Sequence, residues 1–242
     1  MISHKDRCIF VHIPKTAGQS IESVFIKRAG LTWQQRSHLL LRPNSDPSLG
    51  PPRLAHLTAA EYIELKYISE KKFIDYFKFS FVRNPWARIV SEYRYRRLQA
   101  VCQYQHDFKT WLFQYYPKKT DDNYDLSQDL YRHIIPQSNF LYDKSGNCLV
   151  DFVGKFETLQ SDFSKVCSRL DISNTELPHK NKNTATGIKN RIKLVSKQLF
   201  QNLQLTSKDT QCYKAMYDQE SKEFVESLYE EDILLFNYTF ED

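Results

Sequence analysis

The sequence predicts an α/β fold: a single domain over residues 1–242, with a central, mostly parallel sheet carrying a P-loop-like phosphate-binding turn, flanking helices and a helix-rich C-terminal half. Three observations predict it. Residues 8–13 (Cys8-Ile9-Phe10-Val11-His12-Ile13) form a nearly continuous apolar run, the pattern of a strand buried on both faces. A loop and an amphipathic segment over 19–29 follow it directly. Residues 76–82 repeat the pattern and run into Asn84-Pro85, an N-cap followed by proline at the first helical position. Two strand-turn-helix units imply right-handed crossovers and hence parallel strands.

The remaining elements follow in order. Residues 42–52 hold four of the nine prolines and read as a surface excursion. Residues 54–57 suggest a short strand, and Thr58-Ala59-Ala60-Glu61 has the spacing of a capping box that opens a helix through about residue 69. The helix after Asn84 should span 85–98. Beyond it, helices are expected at 107–115, 159–170, 188–203 and 213–229, with one strand at 150–156.

At 41% hydrophobic and 14% aromatic residues, the 242-residue chain can bury a sizeable core, which excludes general disorder. No apolar run approaches the roughly 20 residues of a membrane span, and residues 1–7 lack a signal-peptide core. The five cysteines are odd in number, with no CxxC and no grouping at metal-ligand spacing. Free thiols, no metal and a cytoplasmic location are expected, or the Golgi lumen if the chain is a trimmed eukaryotic enzyme. The net charge of +5 hides an asymmetry: residues 1–120 carry 20 basic and 9 acidic side chains, and residues 121–242 carry 14 and 20. The basic half implies an anionic partner.

Within that half, Pro14-Lys15-Thr16-Ala17-Gly18-Gln19-Ser20 joins the first strand to the first helix. Backbone N–H groups and the positive end of a helix favour a phosphate there, and Lys15 adds a cation. An ATP or GTP enzyme fits poorly. The Walker spacing GxxxxGK[ST] is absent, and the second strand ends in Arg83 instead of a magnesium-binding carboxylate. Arg83 can grip a phosphate bidentately, while Ser91, on the Asn84, Ala87 and Arg88 face of the next helix, can donate to it.

Together these segments resemble the donor-binding motifs of sulfotransferases that use 3'-phosphoadenosine 5'-phosphosulfate, above all the carbohydrate-type (heparan and chondroitin, family 2) members. Residues 13–20 resemble the 5'-phosphosulfate loop, and residues 79–91, with Arg83 eight positions before Ser91, resemble the 3'-phosphate motif. His56-Leu57-Thr58, Pro136-Gln137-Ser138, residues 153–159, residues 177–181 and residues 232–240 extend the likeness over most of the chain. The resemblance implies that Lys15, Thr16, Ala17, Gly18, Gln19, Ser20, Arg83, Ser91 and Lys182 hold the donor and its product 3'-phosphoadenosine 5'-phosphate. Arg88 is counted with the donor site.

His56 is the expected general base, because a neutral imidazole at pH 7 can take a hydroxyl proton. His12 reads as core, and His106 and His133 have no comparable position. Lys15 would stabilise charge on the leaving oxygen. Tyr93-Arg94-Tyr95-Arg96-Arg97 interleaves cations with aromatic faces, so Arg94, Arg96 and Arg97 are expected to meet a carbohydrate acceptor such as an anionic polysaccharide. The alternative is a non-enzymatic polyanion or nucleic-acid binder. It accounts for the charge but not for the two ordered turns, so nucleic acid is not the expected partner.

Overall fold

The computed structural model describes residues 1–173, 176, 177 and 213–242. Among these, four strands form one sheet in the order β1-β2-β3-β4: β1 (Ile2–Ser3), β2 (Cys8–Val11), β3 (Phe77–Val82) and β4 (Phe152–Lys155). β2, β3 and β4 are parallel, with Phe10 opposite Phe79 and Ser80 opposite Val153, while β1 is an antiparallel edge. The strands alternate strictly. Cys8, Phe10, Phe79 and Phe81 face one core with Ile21 and Phe25 of α1 (Gly18–Arg28), and Ile9, Val11 and Val82 face another with Tyr62 and Phe140. Burial on both faces explains the continuous apolar runs in sequence.

α2 (Ala59–Glu64) and α3 (Glu70–Asp75) precede β3, and α4 (Pro85–Leu98) follows it. α5 (Phe108–Gln114) and the later helix Gln219–Leu228 pack with α4 around Trp111, Tyr104 and Tyr229 in a third core cluster. α6 (Ser138–Leu141) and α7 (Leu159–Arg169) flank β4, and a helix Glu230–Phe236 closes the chain. No helix among the described residues is long and apolar enough to cross a membrane.

Several expectations are corrected. Residues 54–57 form no strand: Leu54–His56 is one 3₁₀ turn, closed by His56 N–H donating to Arg53 O at 3.0 Å, with Leu54 and Leu57 buried. The helix expected through residue 69 splits in two, because Lys66 takes φ 59° and Ser69 opens a new helix by capping Lys72 N–H. The helix expected at 213–229 is interrupted at Asp218, whose carboxylate caps Ser221. The strand β1 and the closing helix were not anticipated. The helix expected at 188–203 lies outside the described residues. Cys8, Cys102, Cys148 and Cys167 are free thiols, and Cys212 is also outside the described residues.

Candidate active site

The two motifs meet at the C-terminal ends of adjacent parallel strands, where an α/β sheet opens to ligands. β2 leads into the Lys15 loop and β3 into Arg83. The loop is tight: Lys15 and Ala17 take left-handed φ values of 72° and 68°, and Thr16, fully buried, donates its hydroxyl to Ile13 O at 2.8 Å. The Thr16 hydroxyl proton therefore shapes the loop. Gly18 is needed for space, since a Cβ there would lie 1.9 Å from Nε2 of the buried His12 ring. Ser20 is buried and Gln19 exposed at the start of α1.

Arg83 crosses to this loop, its Nη1 donating to Lys15 O at 3.2 Å and its guanidinium lying 4.1 Å from the centre of the Phe156 ring. Three segments hold the Arg83-Asn84 turn. Arg83 and Gln137 exchange two 2.8 Å hydrogen bonds, Asn84 N–H donates to Glu157 Oε1 at 2.8 Å, and the Asn84 amide donates to Thr239 O at 2.8 Å. Asp232 accepts from the N–H groups of Gln137 and Ser138, both at 2.8 Å. The stretches at 136–138, 153–159 and 232–240 thus form the clamp around the second motif. Burial lowers Arg83 to about 10, partly offset by the nearby Glu157.

Lys15 and Arg83 share a telling feature: neither has a carboxylate within ion-pair distance among the described residues. Lys15 Nζ sits 3.8 Å from the centre of the Tyr95 ring, and burial lowers it to about 8 against the opposing pull of Glu92. Arg83 Nε is buried without a hydrogen-bond partner. Two adjacent, unneutralised cations and an orphaned donor fit an anionic ligand. Ser91 lies two turns into α4, half-buried. Lys182 lies outside the described residues.

Other expected contacts are redirected. Arg88 is fully buried and spends its guanidinium on Pro14 O (3.2 Å), Ile135 O (3.0 Å) and His133 O (2.7 Å), so it braces the loop from behind. Arg96, expected on an acceptor surface, is also fully buried; it pairs with Glu92 at 2.6 Å and Asp129 at 3.3 Å and cannot reach a polymer. Arg97 is exposed but bonded to Tyr93 Oη and His106 O, whereas Arg94 is half-buried and close enough to depress the Arg83 guanidinium slightly.

His56 does come to the sheet edge, through its turn and not a strand. Its Nδ1 lies 3.1 Å from His12 O, which only an N–H can satisfy, so Nε2 carries the lone pair of the neutral ring. Burial, followed by the neighbouring His12, lowers the imidazole well below its ordinary value, opposed by Asp129. His12, His56 and Gln19 line a cleft of about 390 Å³ with Glu22, Trp33, Arg36, Arg42, Arg53 and Ser127. Its one carboxylate, Glu22, is bonded to His12 Nδ1 at 2.6 Å, which leaves the mouth cationic. Another cleft, of about 310 Å³, shares only Arg42 with it and is lined by neither His56 nor residues of the two motifs.

Sequence reasoning passed over His133, Asp129 and Glu92. His56, Asp129 and His133 offer ligand-capable atoms within 4.8 Å of one another, a grouping that no sequence spacing announced. The carboxylate at its centre already faces Arg96 at 3.3 Å and Arg53 at 3.7 Å. Two guanidinium groups against the only carboxylate suit a charge network better than a divalent ion.

A family model described as "Sulfotransferase family" matches residues 1–239. A protein of Archaeoglobus fulgidus, described as uncharacterized, is 28% identical over 116 residues, spanning 43% of this chain and 76% of that protein. No solved structure matches significantly.

Proposed function

Because the chain belongs to the sulfotransferase family and is therefore built for sulfuryl transfer, we propose that it moves a sulfuryl group from 3'-phosphoadenosine 5'-phosphosulfate to a hydroxyl of a carbohydrate acceptor. The observation that carries the reading is the pair of unneutralised cations, Lys15 and Arg83, joined through the 3.2 Å Arg83–Lys15 hydrogen bond at two strand ends. The donor supplies an activated sulfuryl group. Lys15 and the N-terminus of α1 face its 5' side, where negative charge grows on the leaving oxygen; Arg83, Arg94 and Ser91 take the 3'-phosphate. His56 Nε2 accepts the proton of the attacking hydroxyl. Positioning and electrostatics supply most of the rate.

The acceptor enters through the cleft at His56. Arg36, whose guanidinium lies 4.8 Å from the centre of the Trp33 ring, favours carboxylate or sulfate groups on the entering sugars together with Arg42 and Arg53. This reading assigns the polymer to that cleft and leaves Arg94 on the donor side.

Calorimetry with 3'-phosphoadenosine 5'-phosphate tests the donor site. Lys15→Met and Arg83→Met should each weaken binding roughly 10- to 100-fold, the scale of a lost charge-assisted hydrogen bond. Unchanged affinity in both would refute the site. Incubation with labelled donor and a glycan panel, read by mass spectrometry, tests the acceptor class. An Arg36→Ala/Arg42→Ala variant should lose transfer to acidic glycans while keeping nucleotide affinity.

A further inference from the structure

Behind the cleft lies a ring of four buried ionisable side chains. Arg96 Nε donates to Glu92 Oε1 at 2.6 Å, and Glu92 Oε2 faces His133 Nδ1 at 2.8 Å. His133 Nε2 lies 3.2 Å from Asp129 Oδ1, which in turn faces Arg96 Nη2 at 3.3 Å. All four side chains are buried, Glu92, Arg96 and Asp129 fully so. One oxygen stands outside the ring's contacts: Asp129 Oδ2 has no hydrogen-bond partner and lies 3.7 Å from His56 Nε2, beyond hydrogen-bond reach. The His133 ring packs edge-on against His56 at 4.9 Å, and His12 against its other side at 4.5 Å.

We infer that Asp129, held by Arg96 and His133, is the positioning residue for the His56 base, its free Oδ2 being the counter-charge for the imidazolium that forms during transfer. The inference rests on the reading of His56 as base. In the step, the acceptor O–H bond breaks as its oxygen bonds sulfur, the proton passes to His56 Nε2, and the sulfur–oxygen bond to the donor phosphate breaks. The new Nε2–H then has a buried carboxylate oxygen 3.7 Å away. An unpartnered carboxylate oxygen in a dry interior is costly unless a cation arrives there.

The charged and titratable groups around His56 are His12 with its partner Glu22, Asp129, Arg53 and His133, with Glu92 and Arg96 behind them. Of these, Asp129 is the one carboxylate facing Nε2 among the described residues. Removing its charge must therefore make His56 harder to protonate.

The test compares Asp129→Asn, Glu92→Gln and wild type by kcat against pH, with 3'-phosphoadenosine 5'-phosphate affinity as the check on folding. For Asp129→Asn, kcat should fall at least ~10-fold and its acid limb should move to lower pH, with nucleotide affinity within twofold. Glu92→Gln should lower thermal stability and leave the acid limb where it was. An Asp129→Asn enzyme that binds nucleotide normally and keeps both kcat and its acid limb would overturn the inference. Loss of kcat without movement of the limb would mark a merely structural role and also overturn it. Undiminished turnover in His56→Ala would instead sink the underlying assignment of the base. Should Asp129→Asn fail to fold, ¹⁵N NMR of the wild-type histidines in the nucleotide complex decides. A neutral His56 protonated on Nδ1 supports the inference; protonation on Nε2 overturns it, as would a stoichiometric divalent ion found on these side chains.

Discussion

Gly18→Ala should destabilise the protein, although by helix propensity alone alanine at the start of α1 would gain up to about 1 kcal/mol. The added Cβ would sit 1.9, 2.1 and 2.3 Å from Nε2, Cδ2 and Cε1 of His12. Ordinary carbon contacts need about 3.5 Å, so the ring would have to retreat by more than about 1 Å. It has nowhere to go: it is buried, stacked on Phe10 at 5.4 Å, edge-on to His56 at 4.5 Å and bonded to Glu22 at 2.6 Å. Overpacking of this kind costs about 1–3 kcal/mol, and a lost bond to Glu22 would add about 1–3 kcal/mol. In a chain of this size each kcal/mol lowers Tm by about 2–4 °C, so scanning calorimetry resolves the effect. Because the His12 carbonyl also holds His56 Nδ1, turnover should fall with Tm. In the double variant Gly18→Ala/His12→Ala the methyl enters vacated space, so it should be little less stable than His12→Ala alone. A Tm equal to wild type in Gly18→Ala, or full additivity in the double variant, would refute the packing argument.

Two further outcomes follow from the electrostatics. Lys15 is held at about 8, below its ordinary 10.5, so at pH 7 its charge opposes folding, and wild-type stability should rise between about pH 8 and 10.5. Lys15→Met should therefore be more stable than wild type at pH 7 in urea unfolding, by a margin that shrinks above pH 8, while losing nucleotide affinity. Equal stability at pH 7 would contradict the burial of an unneutralised cation. In acid, burial alone would raise Glu92 and Asp129, but His133 and, respectively, Arg96 and His56 outweigh it and hold both below the ordinary carboxylate range. Their contribution is complete above about pH 4.5 and is lost as pH falls through their folded values; that of neutral His56 begins to fade below about 6.5. The urea midpoint should thus decline in two stages on acidification, and Glu92→Gln should flatten the lower one.

Much of the region around Lys15 and Arg83 was legible in the sequence because it depends on local chemistry. The buried strands, the Asn84-Pro85 cap and the loop after β2 are contiguous patterns, and helix α4 spans 85–98 as expected. The 54–57 segment misled because four apolar-leaning residues cannot distinguish a strand from a 3₁₀ turn without a sheet partner. The arginine run misled for a similar reason. Arg94, Arg96 and Arg97 look alike in sequence, but helical rotation buries Arg96 against Glu92 and Asp129 and leaves Arg97 exposed.

The sequence by itself determined the parallel α/β class, the tight turn after the first buried strand, the strand-end arginine and a histidine between them, since each rests on neighbours within a few residues. Only the tertiary structure decided which cations remain free for a ligand and which are spent, and which carboxylate faces His56. Those answers depend on pairs such as Arg88 with Pro14 and His133, or His56 with Asp129, which lie between 45 and 74 positions apart. Charge acts through space, and no local pattern records a partner that the fold brings in from so far along the chain.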